Sequence, residues 1–348
     1  MLVEASASRR AFFYLHGDHS TLPRAELSAL LEARGTPPTE TDPLPRVLRC
    51  RAPIAVAEEI LKRAYMTRFG AEELFNVSDD TDTITRAVRD ELVLEEMDRF
   101  FTLNLYQAET REDRSFAGSL KEQVSNMLKE RVREHHRGSS DNRYVGVMSG
   151  RRFLFGRLLD AHPQLGLASR SPHIRPFFHP SALSPKLAGC MVNLTRIREN
   201  QLLLDPFCGV GSILIEAALL NCQVIGSDID ARMVWASRKN LDHYGLSEKA
   251  LAIADARELP FEGMHAVATD PPYGKLSTTR GASSIHLIRD FLGSALDGLC
   301  RGGFLCLASN RSPDQFGLEN DGRMEVVESH EAPVNSSLVR HVTVARRR

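Results

Sequence analysis

The chain has 348 residues, with 44 Lys and Arg against 45 Asp and Glu and a formal net charge of −1. This length leaves room for two or three domains at the usual ~100–200 residues each, and the near-neutral balance carries no global signal for nucleic-acid binding. With no apolar run of ~20 residues and no signal-peptide pattern, the sequence predicts a soluble, cytoplasmic protein with no membrane partner.

The first elements alternate. Residues 11–16 predict a strand, 22–33 a helix opened by Thr21 and Pro23, 46–51 a strand, and 54–65 an amphipathic helix, with the Pro-rich stretch 36–45 as a loop. This α+β alternation over residues 1–70 resembles a small ferredoxin-like unit. Residues 100–106 then predict a strand and 119–134 a helix with Leu120, Val124, Leu128 and Val132 on one face. Two further strands, 144–148 and 152–159, flank the Ser149-Gly150 turn.

Charge concentrates in the same region. Lys121, Lys129, Arg131, Arg133, Arg137, Arg143, Arg151, Arg152 and Arg157, with His135 and His136, outnumber Glu122, Glu130, Glu134 and Asp141. Such side chains neutralise phosphates and give affinity without reading sequence, although a run of charge is also what a solvated helix face looks like. Residues 160–171, with Pro163, Gly166 and small polar residues, read as a linker, and the domain division places it at 161–175. The final Arg346-Arg347-Arg348 is either a phosphate contact or a tail in solvent.

The remaining part, 176–348, predicts a parallel α/β domain. A strand over 201–205 ends in Asp205, Gly209 and Gly211 mark a tight turn, and an apolar helix begins at Ile213. This order places a ligand outside the carboxyl ends of the strands, where glycines let it approach the backbone. Three more strands each end near an acid: 223–228 at Asp228, 251–255 at Asp255, and 265–270 at Asp270. Asp228 stands at the spacing from which a carboxylate reaches ribose hydroxyls, and Asp255 suits an adenine amine. A line of acids along one sheet edge suits a cofactor with a positive sulfonium and an amine, so the pattern favours S-adenosylmethionine over NAD or ATP.

The motif Asp270-Pro271-Pro272-Tyr273-Gly274 carries the chemistry. The exocyclic amine of a nucleobase has its lone pair delocalised into the ring and is a poor nucleophile until two acceptors grip its N–H bonds. The Asp270 carboxylate supplies one acceptor, and the Pro271 carbonyl, stiffened by Pro272, supplies the other. The ring of Tyr273 offers a stacking face worth roughly 1–3 kcal/mol per base. Taken alone, Asp-Pro-Pro is also an ordinary loop punctuator; the upstream acids favour the catalytic reading.

Cys50, Cys190, Cys208, Cys222, Cys300 and Cys306 form no C-x-x-C pair, which predicts buried free thiols in a reducing compartment. Cys208 opens the glycine turn, but methylation of an amine needs no covalent adduct. Adjacent His135 and His136 lack a ligand pattern, so no metal is expected.

These motifs resemble the archaeal tRNA guanosine-10 N2-methyltransferase family, Rossmann-fold amino-methyltransferases that carry an N-terminal THUMP domain. The resemblance rests on Asp205-Pro-Phe-Cys-Gly-Val-Gly-Ser, Gly226-Ser-Asp228-Ile-Asp230 and Asp270-Pro-Pro-Tyr-Gly. It implies a THUMP RNA-binding domain over 71–160 that holds tRNA, with Lys129, Arg131, Arg133, Arg137, Arg151 and Arg152 as candidate contacts. It also implies that Asp205, Phe207, Gly209 and Gly211 hold the methionine part of the cofactor, Asp228 and Ile229 the ribose side, and Asp255 and Ala256 the adenine. Phe178 and His179, in Arg175-Pro-Phe-Phe-His-Pro180, fall where the family closes over the cofactor, and the alternative for the phenylalanines is a core role. Asp270, Pro271, Pro272 and Tyr273 would take the base. Open alternatives are a guanosine at tRNA position 6 or in ribosomal RNA, adenine N6, and a non-catalytic RNA-binding or partner-activating protein with a degenerate fold. The letters do not decide between one methyl and two, nor between a monomer and an enzyme with a small activator subunit.

Overall fold

The computed structural model describes residues 8–38, 43–90, 101–108, 122–123, 126–127, 142–162, 166–246, 250–272, 284–318, 322–335 and 338–348. In chain order its labelled elements begin with β1 (Arg9–Leu15), α1 (Leu22–Ala33), β2 (Val47–Ala52), α2 (Ile54–Arg63), β3 (Thr67–Ser78), α3 (Thr81–Asp90), β4 (Phe101–Gln107), β5 (Asn142–Ser149) and β6 (Arg152–Leu158). There follow α4 (Pro185–Leu194), β7 (Leu202–Asp205), α5 (Ser212–Leu219), β8 (Gln223–Asp228), α6 (Ala231–His243), β9 (Ala250–Ile253), β10 (Met264–Thr269), α7 (Ser284–Gly298), β11 (Leu299–Ser309), β12 (Met324–Asn335) and β13 (Leu338–Arg347). Two compact units result: one of residues 1–18, 34–62 and 67–163, the other of 19–33, 63–66 and 164–348.

In the first unit one sheet runs β2-β1-β3-β6-β5-β4, antiparallel except for the parallel pair β4 and β5. Period-2 alternation divides its side chains. Tyr144, Phe153 and Phe155 join Ile84 and Val88 of α3 in one core, while Val145, Val147 and Leu154 join Phe12 and Tyr14 in another. The division expected at residue 70 falls inside β3, where Ala71 pairs with Phe12 on one side and with Leu158 on the other. A continuous strand hydrogen-bonded on both edges cannot be a domain boundary. The predicted helix 119–134 lies largely outside the described residues.

The second unit is built on a sheet of order β12-β13-β11-β10-β7-β8-β9, with β7 to β11 parallel and β13 antiparallel to both β11 and β12. Its central strands are apolar on both faces, as parallel strands covered by helices must be. Leu203, Ala266, Ala268, Cys306 and Ala308 join a core with residues of α1, α4 and α5, whereas Leu204, Val267, Leu305 and Leu307 join one with Phe291, Leu292 and Leu296 of α7.

The helix α1, placed by its sequence in the N-terminal half, belongs to this second unit. Glu26 on it is fully buried and accepts hydrogen bonds from the Tyr65 and Met66 amides at 3.0 and 2.8 Å and from Asn193 Nδ2 at 2.8 Å. The Tyr65 hydroxyl donates to Glu216 at 2.9 Å, and Arg170 completes the group with an ion pair to the same carboxylate at 3.0 Å. The span read as a linker is therefore structured from residue 166 onwards. Arg170 and Arg175 are both buried within it, each at a 3-10 turn, Ala168–Arg170 and Pro172–Ile174.

Candidate active site

Strand order reverses between β7 and β10, since β8 and β9 extend the sheet to one side of β7 while β10 and β11 lie on the other. A crevice opens at such a switch point outside the carboxyl ends of the strands, and both flanking strands end in an acid. Asp205 is 2% exposed and accepts from Thr269 Oγ1 at 2.7 Å and from the Phe207 amide at 3.2 Å. Burial, with Asp228 and Asp270 nearby, pushes its carboxyl up to about 7. Asp270 follows Thr269 directly and receives the guanidinium of Arg340, from β13, at 3.3 Å. Burial pushes the Asp270 carboxyl up to about 7 as well, with Arg340 pulling against it.

The turn between β7 and α5 places backbone where a ligand can approach. Gly209 and Gly211 have φ of 49° and 86°, in the left-handed region that favours glycine. A Cβ at Gly211 would stand 2.6 Å from Ser237 Oγ. The Gly209 amide donates to Asp228 Oδ2 at 3.1 Å and the Asp230 amide to Asp228 Oδ1 at 2.9 Å, so the backbone sets the orientation of that carboxylate. Burial raises the Asp228 carboxyl against these donors. Ile229 beside it keeps an exposed apolar side chain, 36% accessible.

Asp255 lies past the end of β9 rather than at it, because the strand stops at Ile253. The Ala254 amide donates to the Asp228 carbonyl at 3.2 Å, which holds this turn against the end of β8. The Asp255 carboxylate pairs with Arg257 of its own turn at 2.6 Å. Ala256 is buried in the α7 core, and Phe207 packs edge-on against Phe291 there with ring centroids 5.3 Å apart, so its ring serves the core.

Phe178 and His179 line an apolar groove of about 470 Å³ with Phe177, Val210, Met233 and Trp235. Asn240 anchors it: its amide donates to the Phe177 and Val210 carbonyls at 2.9 Å each and accepts from the Phe177 amide at 2.9 Å. Of the two phenylalanines, Phe178 is 48% exposed and is not a core residue.

Thus Asp205, Gly209, Gly211, Asp228 and Asp270 come together at the crevice, with Pro271 buried beside them. Tyr273 lies outside the described residues, as do Lys129, Arg131, Arg133 and Arg137. Arg151 is exposed in the turn between β5 and β6, but Arg152 directs its guanidinium at Asn76, donating to the side-chain and backbone oxygens at 2.9 and 2.7 Å.

Three participants, Arg340, Thr269 and Asn240, are not among the site residues expected from the sequence. Arg340 carries no local signal, because only the β13–β11–β10 order brings it near Asp270. Thr269 was legible as a hydroxyl beside a strand-end acid, and Asn240 as a polar residue on the buried face of α6 with Ala236, Ser237 and Leu241. Thiolate chemistry at Cys208 is disfavoured, since burial pushes its thiol up. Among the described residues no group of three or more His, Cys, Asp or Glu could hold a metal ion, and no helix is long and apolar enough to cross a membrane.

Residues 172–340 match the UPF0020 family, described as an RMKL-like methyltransferase domain. The chain is 42% identical over 204 residues to the tRNA (guanine(10)-N2)-dimethyltransferase of Methanothermobacter thermautotrophicus, a match covering 58% of this chain and 60% of that protein. It thus spans less than two thirds of that relative. A protein of Methanothermococcus thermolithotrophicus, given the same name with the qualifier "probable", is 35% identical over 171 residues, which are 47% of this chain and 98% of that one. The fold is shared with the crystal structure of TrmN from Thermus thermophilus, at a TM-score of 0.55 and 20% identity, over 97% of this chain and 100% of that one. With the switch-point acids and glycine turn in place, the chain belongs to the archaeal tRNA guanosine-10 N2-methyltransferase family.

Proposed function

We propose that the protein transfers a methyl group from S-adenosylmethionine to the exocyclic N2 amine of a guanosine in tRNA, at position 10, once or twice. The observation that carries this reading is the pairing of Asp205 and Thr269 at 2.7 Å, which brings the cofactor-side acid beside the strand end that bears Asp270.

The residues present fit this cofactor. The turn at Gly209 and Gly211 leaves backbone unshielded by side chains, Asp228 is oriented by two amides for a pair of ribose hydroxyls, and Ile229 gives an apolar face for an adenine ring. When bound, S-adenosylmethionine supplies an electrophilic methyl group. The chain's own contribution is orientation and electrostatics, which account for much of the rate in such reactions. Asp270 accepts one N–H of the guanine amine and the Pro271 carbonyl the other, aiming the nitrogen lone pair. As positive charge develops on the nitrogen, the Asp270 carboxylate stabilises it and takes the proton. Tyr273, two residues beyond Pro271, supplies the stacking ring. A guanine within a duplex must first be turned out of its stack.

The first unit is the RNA-holding domain in this reading, of THUMP type, and Arg151 is its described candidate contact. The test is incubation of the full chain with labelled S-adenosylmethionine and a tRNA transcript, beside one in which guanosine 10 is replaced. Label on the first alone is expected, and nucleoside mass spectrometry then counts the methyl groups. Equal label on both would move the target to another base.

A further inference from the structure

In the methyl transfer, Asp270 and the Pro271 carbonyl grip the guanine amine, and the rest of the base's hydrogen-bonding edge is left without a partner. Asn310 stands where such a partner is required. It follows Ser309, the last residue of β11, the strand that lies between β10 and β13. In the β11–β13 register Ser309 is opposite His341, so the next step sets Asn310 opposite Arg340. In the parallel β10–β11 register Thr269 is beside Leu307, so the next step sets Asp270 beside Ala308. Ala268, Ala308 and Val342 face one core together. Period-2 alternation therefore puts Asp270, Asn310 and Arg340 on that same face, at the carboxyl end of β10 and β11. To donate to Asp270 at 3.3 Å, the Arg340 guanidinium crosses β11 beside Asn310.

The Asn310 carboxamide is unspent in the fold. Its Oδ1 is buried and, among the described residues, accepts no hydrogen bond. Native proteins pair the large majority of such atoms, and an unpaired one calls for an explanation. Here it lies next to the acid that takes the base. Its backbone is held as well: the buried Ser309 hydroxyl accepts from the Arg311 amide at 3.0 Å and donates to the Arg311 carbonyl, closing a turn around Asn310. A side chain presented from a closed turn has little freedom left to lose on binding.

The chemistry of the base selects the partner. Beside its N2 amine, guanine presents the N1–H donor and then the O6 acceptor. A carboxamide carries an acceptor and a donor side by side, so Oδ1 takes N1–H while Nδ2 donates to O6. Adenine with its N6 amine at Asp270 offers the N1 acceptor and then a C–H, and only half of the amide finds a partner. We propose that Asn310 reads the N1–H and O6 of the target guanine and so determines specificity for guanine over adenine. The proposal rests on the methyltransferase reading above. It adds the distinction that the Asp-Pro-Pro motif, which can grip either amine, does not make.

The test sets the native chain and Asn310→Ala against two tRNA transcripts, one with guanosine at position 10 and one with 2-aminopurine riboside there. That analogue keeps the C2 amine and lacks both N1–H and O6. The native chain should favour guanosine in kcat/KM by at least about 10²-fold, because a site built for a substrate N–H rejects the analogue without it. Asn310→Ala should lower kcat/KM on guanosine by about 5- to 150-fold, the range for one lost partner of a buried polar group, and on 2-aminopurine by less than about threefold. Comparing the variants on each transcript cancels the intrinsic difference between the two amines. Asn310→Ser makes the same subtraction and serves if the alanine variant fails to fold. Equal losses on both transcripts, or none on either, would overturn Asn310 as the reader of the base and leave methyl transfer standing. Transfer by the native chain to adenosine at position 10 at the guanosine rate would overturn the discrimination in the same way. No transfer by the native chain to either transcript would overturn the methyltransferase reading, and this proposal with it.

Discussion

Thr269 donates its hydroxyl hydrogen to Asp205 at 2.7 Å, and both residues are buried, at 0% and 2% exposure. They end β10 and β7, the neighbouring strands between which the order of the sheet reverses. Next to the backbone pairing of the two strands, this hydrogen bond links the cofactor-side turn, which begins at Asp205, to the residue before the base-side motif, which begins at Asp270. Replacing Thr269 by valine keeps the shape and removes the donor, leaving Asp205 with the Phe207 amide. A buried acceptor that loses a partner costs about 1–3 kcal/mol, and the Asp205 carboxyl should rise further. The expected outcome is a lower urea midpoint together with weaker binding of S-adenosylmethionine, read by calorimetry. Loss of stability with unchanged affinity would confine Thr269 to a structural role.

Asp270 should set the acid limb of the rate. Its carboxyl stands at about 7, and only the ionised form can stabilise the developing positive charge and take the amine proton, so kcat/KM should rise with pH through that value. Arg340 opposes the upward push of burial, so Arg340→Met should move the limb to higher pH while the activity on its plateau changes less. Asp270→Asn should lower kcat by about 10²–10³-fold, the usual loss when one oriented polar partner of a transition state is removed. Its affinity for the cofactor should hold. An acid limb that stays in place in Arg340→Met would remove Arg340 from the mechanism.

The turn tolerates no side chain at Gly211. Alanine there meets a φ of 86° and Ser237 Oγ at 2.6 Å. The left-handed conformation alone costs a non-glycine residue about 1–3 kcal/mol. Gly245 has a φ of 72° with nothing within 4 Å of its Cβ position. Gly245→Ala therefore measures the backbone cost by itself, and Gly211→Ala should lower the melting temperature more. Adding Ser237→Ala to Gly211→Ala should recover part of the difference.

Stability without ligand should fall as pH rises. Glu26, Asp205 and Asp270 have carboxyls raised to about 7 from ordinary values of 4.5, 3.8 and 3.8. Between those ordinary values and about 7 the native state holds more protons than the unfolded chain, so raising the pH favours unfolding. The cost begins above the unfolded values and is complete above the native ones. Urea midpoints should be higher near pH ~5 than near pH ~8 as far as these groups decide it. Glu26→Gln should flatten the slope, because its desolvation on α1 then carries no charge. A slope unchanged in Glu26→Gln would assign the pH dependence to the two aspartates.

The sequence by itself determined the strand–turn–helix order from Asp205 onwards, the acids after successive strands and the Asp-Pro-Pro motif. Each is a local matter: apolar runs make buried parallel strands, and glycine and proline select turn geometry within a few residues. Local pattern also located β1, β2, β5 and β6 to within about two residues. It misplaced the boundary at residue 70 because pairing of β3 with both β1 and β6 is not written in β3 alone. It also read 160–171 as a linker, since small polar residues look alike whether they span solvent or wrap a buried arginine such as Arg170. Only the tertiary structure decided that α1 joins the second unit through Glu26 and Asn193, that Arg340 reaches Asp270, and that Trp235 faces Phe177. The first two are contacts between residues 167 and 70 positions apart. Partners at such separations are chosen by sheet order and helix packing, which no local period encodes.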